Sequence, residues 1–134
     1  MSRVAERGTR AARTGVLSLA AMRIAIGGLA WARPEVAATL FGLPRPDAQS
    51  RYLWRLFGVR DVLIGLGTVT STGRRHRTWA GVGLACDVAD GAAGALGRND
   101  VPRNTAAAMV GVPAAAVAFG AWALTRSEPR SGAG

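Results

Sequence analysis

The 134-residue sequence contains no lysine, one cysteine and one histidine. The single cysteine, Cys86, cannot form an internal disulfide, and no Cys/His spacing is typical of a zinc site. The single histidine, His76, lies between Arg75 and Arg77 in what we interpret as a solvated loop, which excludes a Ser-His-Asp or Cys-His catalytic arrangement. We therefore expect no metal ion and no cofactor.

Acidic residues are also scarce, with eight Asp and Glu against 17 Arg and a formal net charge of +9. In a soluble protein such a balance would indicate nucleic-acid binding. Here the arginines gather in short segments between apolar runs, and the few aromatic residues form no stacking platform beside them. This distribution is typical of loops that flank membrane spans, so we expect a lipid bilayer, and no nucleic acid, as partner.

Four apolar runs dominate the chain, each about 18 to 20 residues long and therefore long enough to cross a hydrocarbon core of about 30 Å. We predict an all-α fold, a four-transmembrane-helix bundle. It comprises a basic cytoplasmic segment at 1–14, a membrane domain at 15–125 and a disordered tail at 126–134. The predicted spans are 15–32, 51–70, 78–97 and 105–124.

Arginine is unevenly divided between the two sides of the predicted membrane. The set on the side of the termini is Arg3, Arg7, Arg10, Arg13, Arg74, Arg75, Arg77, Arg126 and Arg130, and the opposite set is Arg33, Arg45, Arg51, Arg98 and Arg103. Positive residues favour the cytoplasmic side. Trp31 and Trp54 at one side, and Trp79 and Trp122 at the other, lie where interfacial anchors are expected. We predict a multi-pass protein of the cytoplasmic (inner) membrane with both termini inside.

The N-terminal region leaves alternatives open. Arg3, Arg7 and Arg10 have helical spacing and would lie on an anionic membrane surface if the segment is helical; otherwise it is a frayed basic tail. A cleaved signal peptide ending at Ala30–Ala32 is disfavoured, because Arg23 lies in the middle of its apolar stretch.

Prolines and a capping residue punctuate the rest of the pattern. Pro34 is predicted to end the first helix, and residues 35–50 to form an interfacial loop with a short amphipathic piece. Asp47 or Ser50 is predicted to cap the second span. Pro113, in the middle of the fourth run, is tolerated where neighbouring helices satisfy the freed carbonyl.

Charged residues inside the apolar runs form the candidate site. They are Arg23, Arg55, Arg60, Asp61, Asp87 and Asp90. Each charge would oppose insertion by about 2.5 to 3.5 kcal/mol if it faced lipid, so the charges are expected to point into the bundle and to pair.

Depth and facing predict the partners within this cluster. Adjacent residues diverge by about 100° on a helix, so Arg60 and Asp61 are expected to contact different helices. The preferred pairs are Arg23 with Asp61 and Arg60 with Asp87, which leaves Asp90 toward Arg55 or water. Small residues one or two turns from these charges predict faces of close helix approach. They are Gly27, Gly58, Gly65, Thr68, Gly83, Gly91 and Gly94.

The cluster is open to several functional interpretations. One interpretation is that it specifies helix assembly. Another is that its carboxylates line a water-filled pocket that relays protons or binds a cationic or polar ligand. A third is that Asp61, Asp87 or Asp90 is the acid or base of a small membrane enzyme. The small-residue face of Ala107, Gly111 and Ala115 suits a homo-oligomer, or an accessory subunit packed on a larger membrane partner. The mean hydropathy of +0.18 is low for four spans and leaves a soluble helical bundle open.

Several short motifs carry a family resemblance. They are an arginine in the first span followed by Pro34, FGLP at 41–44, FGVRDVLIG at 57–65 and DVAD at 87–90. In these the sequence resembles an uncharacterised family of small four-span integral membrane proteins, loosely similar to the DoxX-like group. The resemblance implies a four-helix membrane fold with the charged motif inside the bundle, and it implies no established activity.

Overall fold

The computed structural model describes residues 3–126, and the side chains of residues 10–125. The described chain forms five helices and no strand, which confirms the all-α prediction. The helices are α1 Arg3–Ala32, α2 Pro34–Leu40, α3 Ala48–Thr70, α4 Gly73–Gly97 and α5 Arg103–Arg126. The side chains of Arg3 and Arg7 lie outside the described residues, as does the predicted tail except for Arg126.

The connection between α3 and α4 is shorter than predicted. Only Ser71 and Thr72 separate the two helices, and Gly73 turns the chain with a φ of +56°, a conformation that glycine adopts without a steric penalty. The interpretation of His76 as a solvated loop residue is therefore wrong. His76 lies in the first turn of α4, is half-buried, and places its Nδ1 2.8 Å from the carbonyl oxygen of Thr68.

The connection between α1 and α3 begins at the predicted proline, but the prediction of a loop over residues 35–50 is wrong at both ends, because α2 includes residues 35–40 and α3 begins at Ala48. α1 ends at Ala32, and Pro34 begins α2, where its missing N–H would have had no helical partner. Asp47 caps α3: its carboxylate accepts a hydrogen bond of 2.7 Å from the Ser50 N–H. That hydrogen bond holds the pKa of Asp47 below its ordinary value.

Glycines bring the long helices together in two tight pairs. In the α1/α3 pair a Cβ on Gly27 would lie 2.6 Å from the carbonyl oxygen of Gly58, and one on Gly65 would lie 2.8 Å from that of Ala20. In the α4/α5 pair a Cβ on Gly94 would lie 2.5 Å from the carbonyl oxygen of Met109. Only glycine permits these approaches, so the predicted close-packing faces are confirmed at these positions.

The two pairs join each other at one end of the bundle and diverge at the other. At the end that carries the start of α1 and the end of α5, here called the termini end, Phe119 packs on Gly15 and Trp79 packs on Gly67. At the opposite end, here called the α2 end, the pairs are separated by a cavity. The charged cluster lies where the joined and separated halves meet.

Two helices, over Arg10–Ala32 and Arg103–Thr125, are long and apolar enough to cross a membrane. α3 and α4 are long enough but are not apolar enough by the same measure. Of the four predicted apolar spans, two are therefore supported by length and composition. Every 18-residue stretch of α3 includes Arg55, Arg60 and Asp61, and the carboxylates of α4 lower its average hydropathy. Apart from Arg55, these charges belong to the candidate site described below.

Candidate functional site: a buried Arg/Asp cluster below an apolar cavity

Arg23 is the centre of the cluster, and its side chain crosses the middle of the bundle. It is 7% exposed, and its Nη1 donates to Asp61 Oδ1 on α3 at 3.3 Å. Its Nη2 donates to two acceptors one turn apart on α4, the Gly83 carbonyl oxygen at 3.0 Å and Asp87 Oδ2. A Cβ on Gly83 would lie 3.4 Å from the guanidinium, so this glycine leaves room for the side chain to pass. One cation therefore links three helices.

Arg60 makes the second link, between α3 and α4. Its Nη1 and Nη2 donate to the two oxygens of Asp90 at 3.0 and 2.7 Å, which is the bidentate geometry that suits a guanidinium. Its Nε and Nη2 also donate to Asp61 Oδ1 at 3.3 and 3.2 Å. The guanidinium lies 4.7 Å from the centre of the Phe57 ring, a cation–π contact.

The observed partners correct part of the predicted pairing. Arg23 pairs with Asp61 as expected, but the prediction that Arg60 pairs with Asp87 is wrong, because Asp87 binds Arg23 and Asp90 binds Arg60. Asp87 and Asp90 differ by about 4.5 Å along α4, which is within the reach of a long, flexible arginine. Depth alone could not decide between them.

Arg55 lies outside the cluster. Its side chain is exposed, and its Nε donates to the carbonyl oxygen of Trp31 at 3.3 Å, at the α2 end of the bundle. The expectation that Asp90 turns toward Arg55 or water is therefore wrong. The Arg60 and Asp61 side chains do reach different helices, as predicted, but they also contact each other.

The cluster has more acceptors than its donors use. Asp61 Oδ2 and Asp87 Oδ1 accept no hydrogen bond from the described residues, whereas both oxygens of Asp90 do. None of the described side-chain oxygens is both fully buried and unpaired, so these two carboxylate oxygens have accessible surface. They are available to a donor that enters the cavity next to them.

A cavity of about 650 Å³ occupies the α2 end between the two helix pairs. Its floor is charged and consists of Arg23, Asp61, Asp87 and Asp90. Its walls are largely apolar and aromatic, and include Leu19, Met22, Ile26, Leu53, Trp54, Phe57, Ala93, Met109, Val112 and Ala116. An apolar cavity with a few convergent polar groups is the usual form of a small-molecule site.

A pocket lined by the carboxylates was one hypothesis from the sequence, but the apolar walls of this cavity and its aromatic residues were not predicted. The Phe41 ring packs at a tilt on Trp54, and Trp54 meets Phe57 edge to face, with centroids 5.8 and 5.9 Å apart. All three rings line the cavity. The FGLP and FGVRD motifs contain two of these rings, but nothing in their spacing places them on one wall.

The segment between α2 and α3 covers the cavity at the α2 end. Phe41 and Leu43 line the cavity, and between them Gly42 adopts a φ of +68°. The Gly42 carbonyl oxygen accepts a hydrogen bond of 3.0 Å from Thr105 Oγ1 on α5, a residue that is 2% exposed. One buried hydroxyl therefore fixes the cover to the α4/α5 pair.

A second, small cavity of about 20 Å³ lies on the opposite side of Arg23, toward the termini end. Arg23, Asp87 and Thr68 supply its polar lining, among mostly apolar neighbours. This space suits one water molecule with polar partners. The Arg23–Asp87 ion pair thus borders both cavities.

Two further predictions concern a metal and a packing face. Within residues 10–125 no three His, Cys, Asp or Glu side chains are placed to hold a metal ion; the arginines lie between the carboxylates. Ala107, Gly111 and Ala115 are exposed on α5, and a Cβ on Gly111 would meet nothing within 4 Å. That face is free of intramolecular packing, and the partner predicted for it stays a prediction.

Comparison with known proteins gives a family and no closer relative. Neither the curated proteins nor the solved structures contain a significant match to the chain. A family model, "Domain of unknown function (DUF4267)", matches residues 20–126. This match covers α1 from residue 20 onward, α2 to α5, the charged cluster and most of the cavity wall. The chain therefore belongs to the DUF4267 family of domains, whose function is unknown.

Proposed function

We propose that the protein crosses the cytoplasmic membrane four times, with both termini in the cytoplasm, and binds a small organic cation in the cavity above its Arg/Asp cluster. The observation that carries the proposal is the cavity floor, where the guanidinium of Arg23 and three carboxylates lie beneath largely apolar walls. Two of these carboxylates bind Arg23, and the third, that of Asp90, binds Arg60. An ammonium group with an apolar substituent complements both features.

The distribution of exposed residues supports four spans. On α3 an exposed apolar stripe runs along the helix and consists of Tyr52, Leu56, Val59, Leu63, Leu66 and Val69. Within 56–73, 78–97 and 104–125 no charged side chain is exposed, whereas the buried side chains include Arg23, Asp61 and Asp87. A soluble bundle places charges outside and apolar residues inside. This bundle does the reverse, and only 11% of the apolar stretch of α5 is buried.

The ion pairs explain how α3 and α4 could cross a bilayer despite their composition. The mean hydropathy of a helix counts every charged residue as if its side chain faced lipid. Here Asp61, Asp87 and Asp90 each pair with a guanidinium inside the bundle, which offsets most of the insertion penalty. α3 and α4 have 23 and 25 residues, enough for about 30 Å of hydrocarbon at about 1.5 Å per residue.

The charge of the floor favours a cation over an anion. The cluster contains two guanidinium groups and three carboxylates, a formal charge of −1. The accessible acceptors are Asp61 Oδ2 and Asp87 Oδ1. A donor group on the ligand can use both oxygens without breaking an ion pair, whereas an anion would have to displace a carboxylate from an arginine.

The proposal is tested with three water-soluble probes that each have six carbon atoms but differ in the charge of the polar group: hexylammonium, hexanol and hexanoate. The protein is reconstituted in lipid nanodiscs, and binding is followed by the fluorescence of Trp54, with the other tryptophans replaced by phenylalanine. We expect hexylammonium to bind at least about tenfold more tightly than hexanol, a difference of about 1.4 kcal/mol, and hexanoate to bind less tightly than hexanol. Equal affinity for all three probes would sink the proposed function.

A carboxylate substitution locates the binding. Asp87→Asn keeps an oxygen acceptor but removes the charge, so it should reduce the preference for hexylammonium over hexanol. Asp100→Asn is the matched control, because Asp100 is exposed in the connection between α4 and α5. A change in the ratio of the two affinities separates lost recognition from lost folding, since unfolding would weaken both probes.

The four-span topology has its own test. Single cysteines are placed at Thr72 and at Asp100 in a Cys86→Ser background and labelled in intact cells with a membrane-impermeant maleimide. We expect labelling at position 100 and none at position 72. Labelling of both positions, or recovery of the protein without detergent in the soluble fraction, would contradict the proposed topology.

Two narrower predictions from the sequence are not needed for this function. The loose similarity to the DoxX-like group is compatible with a four-span bundle and adds no activity. Use of Asp61, Asp87 or Asp90 as an acid or base in a small membrane enzyme requires a second substrate or nucleophile. Both stay predictions.

A further inference from the structure

We propose that the cavity is entered from the side, through an opening between α1 and α5, and that its ligand is a membrane-dissolved, single-chain alkylammonium. This inference rests on the proposed function and names the class and the source of the cation. It follows from which sides of the cavity are closed.

At the depth of the charged floor, three sides of the cavity are closed by direct contacts. The α1/α3 and α4/α5 pairs are sealed by the backbone approaches at Gly27, Gly58 and Gly94. At the depth of the charged floor, the gap between α3 and α4 is bridged by the bidentate Arg60–Asp90 pair.

The α2 end of the cavity is closed as well. The Phe41 ring stacks against Trp54 there, and the Thr105–Gly42 hydrogen bond ties the covering segment to α5. Entry from the water at this end would have to break that hydrogen bond.

The fourth side, between α1 and α5, has no comparable closure. Contacts between these helices at glycines lie toward the termini end, where Gly15 meets Phe119 and Leu19 approaches Gly120. Farther toward the α2 end, residues 22–32 of α1 form no hydrogen bond or ion pair with α5 among the described residues. This is the side where the two helix pairs stand apart.

The residues at this opening face the cavity and the exterior at once. Met22 on α1 and Val112 on α5 both line the cavity, and each is 48% exposed. Met22 directly precedes Arg23, so the opening lies at the depth of the charged floor. In a membrane-spanning bundle that depth is hydrocarbon, and what meets the opening is lipid rather than water.

The chemistry of such a route selects the ligand. A polyamine or other strongly hydrated cation does not reach this depth through hydrocarbon. A single-chain amine is soluble in the bilayer, can deliver its head to Asp61 and Asp87, and can leave its chain against the apolar wall. The walls offer carbon surface and one thioether beside the opening, and no second charged group above the floor.

A reversible block of the opening tests the route. In a Cys86→Ser background, Met22→Cys and Val112→Cys are joined by a bis-methanethiosulfonate crosslinker, which dithiothreitol removes. Vesicles loaded with dodecylammonium are mixed with the nanodiscs, and the binding rate is followed through Trp54. We expect crosslinking to slow binding at least about tenfold, and reduction to restore the rate; the same cysteines capped separately with methyl methanethiosulfonate are the control.

The outcomes separate this inference from the proposed function. An unchanged rate after crosslinking overturns the lateral route. Tight hexylammonium binding without dodecylammonium binding overturns the ligand class and leaves the cation site intact. Failure of hexylammonium and dodecylammonium alike in the uncrosslinked protein overturns the proposed function itself.

Discussion

The two ends of the bundle are built from the same kinds of residue, yet the two helix pairs pack against each other at only one of them. At the termini end glycines receive large rings from the opposite helix pair: Phe119 packs on Gly15, and Trp79 packs on Gly67. At the α2 end the described glycines with close contacts, such as Gly58 and Gly94, meet only the partner helix within their own pair. Glycine therefore joins the pairs at one end and leaves them apart at the other.

The charged cluster lies at the boundary between these two regions, where it connects the two helix pairs. On the side of the cluster toward the termini end, aromatic rings packed on glycines hold the two helix pairs together. Above the cluster, the pairs have a cavity between them, so Arg23 and Arg60 are the last links that connect α1 and α3 to α4. Assembly and ligand binding thus use the same side chains, and the two interpretations of the cluster are compatible.

The largest effect is expected from removal of Arg23, the link at the boundary. Arg23→Met leaves the Asp87 carboxylate buried without a cation, which should lower the free energy of unfolding by about 3 to 5 kcal/mol. Denaturant titration in nanodiscs, followed by tryptophan fluorescence, measures this loss. Arg55→Met is the control and should cost under about 1 kcal/mol, because Arg55 is exposed and outside the cluster.

A second substitution tests the reason for that loss. Adding Asp87→Leu to Arg23→Met removes the uncompensated carboxylate and should recover part of the stability. Exchange of the charges between positions 23 and 61 should not, because an arginine at 61 would meet Arg60 and an aspartate at 23 would meet Asp87. Full recovery in the exchanged protein would contradict the observed network.

The tight packing within the helix pairs at the α2 end is tested by adding one methyl group. Gly58→Ala places a Cβ against the backbone of Gly27 and Trp31 and should destabilise the bundle by about 2 to 3 kcal/mol. Gly28→Ala is the matched control on α1, since a Cβ there meets nothing within 4 Å. It should be neutral or gain up to about 1 kcal/mol from helix propensity. Equal losses of stability at both positions would show that the backbones of α1 and α3 are not in contact at Gly58.

The difference in packing between the two ends is tested with one substitution placed on each side of the cluster. Ala20→Leu adds volume beside the 20 Å³ space toward the termini end and should cost about 1 to 2 kcal/mol. Ala116→Leu adds the same volume to the 650 Å³ cavity and should leave stability unchanged while it weakens hexylammonium binding. Paired melts and titrations in nanodiscs check both values. A large loss of stability from Ala116→Leu would mean that the cavity has no room for the larger side chain at position 116.

The sequence predicted the helices and their close faces because both follow from local spacing. An apolar run gives a helix length, and small residues one turn from a charge give a face, so the contacts at Gly27, Gly58 and Gly94 were foreseeable. Arg23–Asp61 was foreseeable for the same reason. The partner of Arg60 was not, since a guanidinium reaches either of two carboxylates one turn apart.

A carboxylate-lined pocket was a hypothesis from the sequence, but the size and the apolar walls of the cavity could not be predicted, because they depend on the angle between the two helix pairs. No residue of its wall is unusual in type: Met22, Val112 and Ala116 read like any other apolar positions. His76 was not predicted to be helical, because the Arg-rich stretch before residue 78 indicated a loop. The chain turns at Gly73 within fewer residues, so α4 already includes His76. The pairing of the charges of α3 and α4 could not be predicted from composition, which counts charges without their partners.

The smallest effect concerns helix caps at the two ends. Asp47 caps α3 at the α2 end, whereas Thr72 precedes α4 at the termini end without a side-chain cap. The hydrogen bond from the Ser50 N–H holds the pKa of Asp47 below its ordinary value of 3.8, so the cap's contribution to stability is present above pH 3.8 and is lost as the pH falls through the lower folded pKa. Asp47→Ala should therefore lower the melting temperature slightly at pH 7 and leave it unchanged in acid well below pH 3.8, while Thr72→Ala should have no pH-dependent effect. If both substitutions act alike at both pH values, the asymmetry between the capped and uncapped ends does not contribute to stability.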